Sequence, residues 1–209
     1  DTINIVVTSC CPDTTLNGSF SPVCTSVGTV DLSTIENGKT GTWAITTTPA
    51  GGAATVTTGH TFNINSSVAG TYVLTFSVTG APAGCVMPTR TIKINALPVV
   101  TVRDTSICSG DAAVTFTAVS DSTVASHLWS IKGSGTASTT TATVAGNYTV
   151  QVTDNNGCIS SGTGVLTVNT KPVVILRDTS ICSGDVAITF DAGAGYTSYQ
   201  WSGTGGSTD

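Results

Sequence analysis

The chain has 209 residues, of which only 9% are charged, against about 25% in an ordinary soluble domain. Its formal net charge is −5 and its seven lysines and arginines form no cluster, so nucleic acid is not an expected partner. Hydrophobic residues make up 39%, but no run reaches the roughly 20 apolar residues of a membrane span, so no span is predicted. Thr, Ser and Gly dominate, and Glu36 is the single glutamate, which together predict an all-β fold.

One segment occurs twice along the chain. Residues 98–116 read PVVTVRDTSICSGDAAVTF and residues 172–190 read PVVILRDTSICSGDVAITF, so the copies differ at four positions and lie 74 residues apart. A period of this length predicts a small domain used repeatedly rather than a solenoid turn. We interpret both chain ends as cuts in a longer protein. The predicted units are the closing strand of an upstream domain at 1–8, a domain at 9–97, a repeat at 98–170, and the first half of a further repeat at 171–209.

The unit at 9–97 is a divergent version of the unit at 98–170. Alternating apolar residues follow a cysteine at the same spacing in both units, as expected for a strand with one buried face. The corresponding elements, in chain order, are the cysteines Cys24 and Cys108, the tryptophans Trp43 and Trp129, the strands at 70–79 and 146–153, the Gly-Cys steps at 84–85 and 157–158, and the closing strands at 91–94 and 165–168.

About seven short strands with turn signals between them are predicted in each complete unit. The strongest is 145–153, which is followed by the hairpin turn Asp154-Asn-Asn-Gly. This pattern is typical of two packed antiparallel sheets. The predicted fold is therefore a tandem array of immunoglobulin-like (PKD-like) antiparallel β-sandwiches arranged end to end. Short joints at Pro98 and Pro172 should leave neighbouring units only modestly flexible.

The seven cysteines are widely spaced and include no C-x-x-C pair of the kind that binds zinc. They therefore predict disulfides and an oxidising compartment. The aligned positions predict the pairs Cys24–Cys85 and Cys108–Cys158, one within each complete unit. Two alternatives remain for Cys10 and Cys11: one of them pairs upstream, or the two form a vicinal bridge.

The aromatic residues that recur in each unit have two interpretations. Trp43, Trp129 and Trp201 could stack against sugars, but recurrence at one strand position favours the core tryptophan of a sandwich. Tyr72 and Tyr148 are interpreted as core or corner tyrosines.

No catalytic set is recognisable. His60 and His127 each stand alone, with no Ser/His/Asp or Cys/His pattern, so the chain is not expected to be an enzyme. No cofactor is expected either. Calcium is the one ion considered, since carboxylates near the domain joints could supply its oxygen ligands. Turn capping and local pairing are the favoured roles for these carboxylates, which belong to Asp111, Asp154, Asp185 and the pairs Arg103-Asp104 and Arg177-Asp178.

The string DTSICSGD, the tryptophan in each unit, the segment GNYTVQVTDNNGC and the Pro-Val-Val joint resemble a known family. They are similar to the Ig-like and PKD-like repeats of giant type IX-secreted surface adhesins of the Bacteroidota, of the SprB-like gliding-motility kind. The resemblance implies a stalk or fibre segment of a large extracellular cell-surface adhesin that supports adhesion or gliding. Its partners would be neighbouring repeats of the same long chain and an extracellular surface or polysaccharide. Two alternatives remain: a subunit of an extracellular filament, and spacer repeats of a secreted polysaccharide-degrading enzyme.

The same resemblance implies O-glycosylation at Asp-Ser/Thr-x sites. Thr14 and Ser122 are the first candidates, and Thr2, Thr105 and Thr179 follow. The Thr105 and Thr179 sites precede the cysteine of their units, where an exposed turn is expected. A glycan there would add solvated bulk to a surface that is poor in charge.

Overall fold

The computed structural model describes residues 10–64, 68–131 and 137–203. The predicted strand at 1–8 and the candidate Thr2 lie outside the described residues. The first sandwich has a four-stranded sheet in the order β1-β7-β6-β3 and a three-stranded sheet in the order β2-β5-β4. Its strands are β1 (Val23–Cys24), β2 (Thr29–Asp31), β3 (Gly41–Thr47), β4 (Thr55–Thr57), β5 (Thr61–Asn63), β6 (Gly70–Val78) and β7 (Thr89–Asn95), with a 3-10 turn at Ser33–Ile35.

Alternation along these strands builds the first core. Tyr72, Leu74 and Phe76 alternate along β6 and are buried, and these side chains meet apolar residues from both sheets. Trp43 lies against Phe76 with ring centroids 5.0 Å apart, and Phe62 lies edge-on to Tyr72 at 5.6 Å. Aromatic pairs at these separations add to the stabilisation that comes from burying their area.

The second sandwich has a four-stranded sheet in the order β12-β14-β15-β9, faced by the pairs β10-β13 and β11-β8. Phe116 stacks on Tyr148 with ring centroids 4.8 Å apart in a core separate from the first. The strands are β8 (Val100–Thr101), β9 (Thr105–Cys108), β10 (Val114–Thr117), β11 (Val119–Ser120), β12 (Val124–Trp129), β13 (Thr139–Ala142), β14 (Gly146–Asp154) and β15 (Ile159–Asn169).

The closing strand of the second sandwich is longer than the predicted 165–168 and contains two glycines that the core requires. A Cβ on Gly164 would lie 2.7 Å from Val102 Cγ1 and 2.9 Å from the Arg103 carbonyl oxygen. A Cβ on Gly162 would lie 2.8 Å from the Val100 carbonyl oxygen. The chain around β8 therefore crosses β15 too closely for any side chain at these positions.

Both sandwiches contain one parallel pair among their antiparallel ones. β1 runs parallel to β7, and β9 runs parallel to β15. The first strand of each of these pairs lies early in its sandwich, and the second closes it. This pairing decides at which end of each sandwich the cysteines lie.

The half-repeat that begins at Pro172 forms no strand within the described residues 172–203. Phe190 is 48% exposed, whereas its counterpart Phe116 is 2% exposed. Ile175, Val186 and Trp201 of this half-repeat are exposed as well.

The chain thus folds as tandem immunoglobulin-like β-sandwiches. Four residues, 96–99, join β7 to β8, and Pro98 within this joint is buried. In the described parts of the chain, no helix has the length and hydropathy needed to span a membrane. The domain limits 9–97, 98–170 and 171–209 stay predictions.

Candidate functional site

The short strand β1 places Cys24 at the C-terminal end of the first sandwich. Cys24 is the register partner of Asn95, the last residue of β7. The Thr25 N–H donates to the Asn95 carbonyl at 3.0 Å, and the Val27 N–H donates to the Cys24 carbonyl at 3.0 Å. Cys24 is therefore fixed beside the point where the chain leaves the first sandwich.

The β14–β15 hairpin places Cys158 at the N-terminal end of the second sandwich. The side chain of Asp154 organises the turn, because its Oδ1 accepts hydrogen bonds of 2.8 Å from the N–H groups of Asn156 and Cys158. The Asp154 N–H in turn donates to the Cys158 carbonyl at 2.9 Å. Burial raises the pKa of Asp154, but these hydrogen bonds outweigh it, and the net pKa lies below the ordinary value. Cys158 itself is fully buried.

These two cysteines form a disulfide between the sandwiches. The Cys24–Cys158 bridge has a Cα–Cα distance of 5.6 Å, which is typical of disulfides. A second bridge joins Cys11, ahead of β1, to Cys85 in the β6–β7 turn at 5.5 Å. In each sandwich the cysteine of the last hairpin turn is bonded to a cysteine from outside its own β-sheets. Cys85 is bonded to Cys11, which precedes β1, and Cys158 is bonded to Cys24 of the first sandwich. Two disulfides indicate an extracellular protein.

The predicted pairs Cys24–Cys85 and Cys108–Cys158 are wrong. Cys108 is the register partner of Asn169 at the end of β15, whereas Cys158 precedes Ile159 at its start. Eleven extended residues separate these ends by about 36 Å, far beyond the roughly 7 Å that a disulfide can bridge.

Cys24 and Cys85 lie at opposite ends of β7 in the same way. Cys24 is the register partner of Asn95, the last residue of β7, whereas Cys85 precedes the first, Thr89. The vicinal alternative is also wrong, since Cys11 bonds Cys85. Among the described residues, Cys108 and Cys182 carry thiols outside any disulfide.

The recurring tryptophans of the two complete sandwiches are core residues, as predicted. Trp43 and Trp129 are each 3% exposed. The Trp129 indole N–H donates to the Ala137 carbonyl at 3.1 Å. Trp201, in the half-repeat, is 50% exposed.

The tyrosines also behave alike in the two sandwiches. The Tyr72 hydroxyl donates to the Val68 carbonyl at 3.0 Å, and the Tyr148 hydroxyl donates to the Val144 carbonyl at 2.6 Å. Each phenol thus closes the loop that leads into its own strand, which confirms the prediction of core or corner tyrosines.

A buried polar cluster was not predicted from the sequence. Oε1 of Glu36 accepts a hydrogen bond from the Trp43 indole N–H at 2.9 Å and lies 2.6 Å from His60 Nδ1. Glu36 is 7% exposed. The sequence marks this residue only by its being the single glutamate of the chain. The cluster satisfies a buried indole and a buried carboxylate, which is a structural role.

Four of the aspartates that could supply calcium ligands, Asp104, Asp111, Asp154 and Asp185, are engaged locally. Asp104 Oδ1 accepts from the Val165 N–H at 2.8 Å, and Asp185 Oδ2 accepts from the Cys182 N–H at 2.8 Å. Asp111 Oδ1 lies 2.8 Å from Lys171 Nζ. Over residues 10–64, 68–131 and 137–203, no group of three His, Cys, Asp or Glu side chains is arranged to hold a metal ion.

The glycosylation candidates occupy different environments. Thr14 and Ser122 are half-buried, and the Ser122 hydroxyl donates to Asp121 Oδ1 at 3.0 Å. Thr179 is exposed. Thr105 is half-buried within β9, opposite Leu166 of β15, so the expected exposed turn is wrong for this residue.

The aspartate before Thr14 is itself occupied. Asp13 accepts hydrogen bonds from the Thr15 N–H at 2.9 Å and the Thr15 hydroxyl at 2.8 Å, and Lys39 Nζ lies 3.1 Å away. These contacts, the Thr15 N–H first, lower the pKa of Asp13 to about 2.

No family model and no curated protein matches the chain. Similar solved structures include extracellular domains 3–5 of Drosophila OTK, with 13% identity, a TM-score of 0.39 and coverage of 77% of this chain and 63% of that chain. The N-terminal four Ig domains of Dscam1 isoform 4.4 align at 13% identity and a TM-score of 0.31, over 80% of this chain and 48% of that chain. Ig domains 1–5 of Sidekick-1 align at 15% identity and a TM-score of 0.27, over 75% and 39%. The chain spans less than two thirds of the length of each of these structures.

Proposed function

We propose that this chain is a non-enzymatic segment of the stalk of a large cell-surface adhesin. The observation that carries the proposal is the Cys24–Cys158 bridge between two separately cored sandwiches. Because the peptide joint and the disulfide both connect the sandwiches, the second sandwich is held at two points rather than hinged on one. A stalk needs such fixed geometry between units so that it can hold a distal binding region away from the cell.

The burial pattern supports a spacing role over a binding role. The aromatic side chains of the two complete sandwiches that could stack on sugars, Trp43 and Trp129, are enclosed in the cores. We further propose that the adhesin is a type IX-secreted protein of the Bacteroidota that serves adhesion or gliding. The sequence resemblance alone supports this lineage. The partners would be the neighbouring repeats and an extracellular surface or polysaccharide.

Surface labelling and adhesion on the source cells test the proposal. Antibodies raised against residues 10–203 should label intact cells, and cells that lack the gene should lose attachment to glass or polysaccharide under flow. A matched strain carries Cys24→Ala and Cys158→Ala on the chromosome. It should keep the labelling, since each sandwich retains its core, but attach less well. Labelling restricted to the cell interior would contradict the proposal.

Two alternative functions make different predictions in the same experiment. A filament subunit would release, on mild shearing, polymers built from many copies of one chain. Spacer repeats of a secreted enzyme would release polysaccharide-degrading activity in the same polypeptide as the antibody epitope. Stalk repeats would release neither.

O-glycosylation is proposed as a further property of this segment. The first candidates are Thr14 and Ser122, with Thr2, Thr105 and Thr179 after them. The exposure of Thr179 favours its glycosylation, whereas the position of Thr105 within β9 disfavours glycosylation of Thr105. Glycopeptide mass spectrometry on protein from the native host is the test. Unmodified peptides across all five sites would contradict the proposal.

A further inference from the structure

Cys108 occupies the same place in the second sandwich that Cys24 occupies in the first. It is the register partner of Asn169 at the end of β15, as Cys24 is of Asn95 at the end of β7. The Ser109 N–H donates to the Asn169 carbonyl at 2.8 Å, matching the bond from Thr25 to Asn95. The Asp111 N–H donates to the Cys108 carbonyl at 3.0 Å, matching the bond from Val27 to Cys24.

The thiol of Cys108 has no partner inside its own sandwich. Cys108 is half-buried and, within the described residues, belongs to no disulfide. The hairpin cysteine of this sandwich, Cys158, is already bonded to Cys24 and lies at the opposite end of β15. A partner for Cys108 must therefore come from a unit placed at the C-terminal end of the second sandwich.

The chain leaves the second sandwich in the same way as it leaves the first. The sequence Asn95-Ala-Leu-Pro98 joins the first sandwich to the second, and Asn169-Thr-Lys-Pro172 follows with the same Asn-x-x-Pro spacing. Pro172 then starts a further copy of the repeated segment. A unit that begins at Pro172 is thus presented to Cys108 at the same offset at which the second sandwich is presented to Cys24.

An ion pair ties the Cys108 turn to this joint. Lys171 Nζ lies 2.8 Å from Asp111 Oδ1, and Asp111 Oδ2 accepts the Cys108 N–H at 2.9 Å. The first residues of the joint are therefore held beside the turn that carries the thiol.

We propose that Cys108 is the next member of a series of inter-repeat disulfides. Its Sγ bonds the cysteine in the last hairpin turn of the repeat that begins at Pro172, and Cys182 serves the repeat after that. Cys158 lies 50 residues after Cys108, so the expected partner lies 50 residues after Cys182, outside the 209 residues. The assignment does not depend on the proposed adhesion role.

The bond-forming step is an oxidation. Two thiols lose two protons and two electrons as the Sγ–Sγ bond forms. The electrons pass to the disulfide of an oxidised thiol–disulfide oxidoreductase, which becomes a dithiol. The same class of oxidant accounts for the Cys24–Cys158 bridge.

Disulfide mapping of the full-length protein from its native source tests the assignment. Free thiols are alkylated first, and peptides are then compared with and without reduction. The expected result is a Cys108 peptide linked to a peptide from a downstream Gly-Cys hairpin, with the Cys24–Cys158 pair found in the same map as an internal control. Alkylation of Cys108 before reduction, or its linkage to any other cysteine, would overturn the assignment.

A single substitution provides a second readout. In full-length Cys108→Ser, one new thiol should become alkylatable without reductant, and it should map to that downstream hairpin. Cys182→Ser should expose a thiol one repeat further along. If Cys108→Ser exposes no new thiol, the hairpin cysteine does not pair with Cys108.

Discussion

Replacing both Cys24 and Cys158 with alanine removes the disulfide between the sandwiches and leaves both cores intact. When the second sandwich unfolds and the first stays folded, the wild-type bridge closes a loop, because Cys24 lies beside Asn95, where the first sandwich ends. The loop that runs from Asn95 to Cys158 holds about 60 residues. On the chain-entropy model, closing this loop raises the free energy of unfolding of the second sandwich by about 4 kcal/mol. When both sandwiches unfold, the bridge closes a loop with a sequence separation of 134, and its contribution to the free energy of unfolding is about 5 kcal/mol.

Urea denaturation of residues 10–203 measures the effect. The second sandwich can be followed by Trp129, and the first by Trp43 in a matched Trp129→Phe background. With a denaturant dependence of about 2 kcal/mol/M, the midpoint of the second sandwich should fall by about 2 M in the double variant. The first sandwich should be destabilised by a similar amount, because Cys158 lies where the second sandwich begins and the loop from Cys24 to Pro98 holds about 70 residues, which also gives about 4 kcal/mol.

The control is Cys182→Ala, which removes a thiol in the half-repeat and should leave both midpoints unchanged. Reduction of the wild type with dithiothreitol should reproduce the double variant at the second sandwich. If the double variant and the wild type unfold at the same urea concentration, and Cys24 is alkylated in the untreated wild type, the bridge does not form and the reasoning fails.

Three further predictions concern the second sandwich. Trp129→Ala should lower its free energy of unfolding by about 3–5 kcal/mol in urea denaturation followed by circular dichroism, and an unchanged midpoint would contradict the core assignment. Gly164→Ala should cost about 1–3 kcal/mol by crowding Val102 and Arg103, whereas Gly28→Ala, where a Cβ meets nothing within 4 Å, should be near neutral. Because the pKa of Asp154 is lowered in the folded state, its contribution is complete above the unfolded pKa of about 4 and is lost at lower pH. Thermal melts of Asp154→Asn should show a weaker loss of stability on acidification than the wild type, and parallel curves would refute this.

Features that depend on local periodicity were predictable from the sequence. The predicted strand at 145–153 and the observed β14, Gly146–Asp154, differ by one residue at each end. Tyr148, Val150 and Val152 alternate into the core as their spacing required. The hairpin turn after Asp154 also follows from its own sequence.

The disulfide pairing was not predictable in the same way. Aligning two repeats shows which cysteines are equivalent, but adjacency depends on which end of a sheet each one occupies. That is set by the parallel register of β9 on β15, a pairing of four residues with no signature of its own. The buried Glu36 cluster was not predictable for a similar reason. Trp43 lies in β3 and His60 in the turn between β4 and β5, so only the folded chain brings them to Glu36.

The Cys24–Cys158 bridge also shortens the covalent route along which tension passes through this segment. Residues 25–157 lie inside the ring that the bridge closes, so a pull that reaches Cys24 continues from Cys158 along β15 to Asn169. Those 11 residues are already in strand conformation, at about 3.3 Å each, close to the maximum reach of a polypeptide. The pulled segment therefore has almost no slack, and its length is set by one taut strand rather than by the hydrogen bonds of the second sandwich.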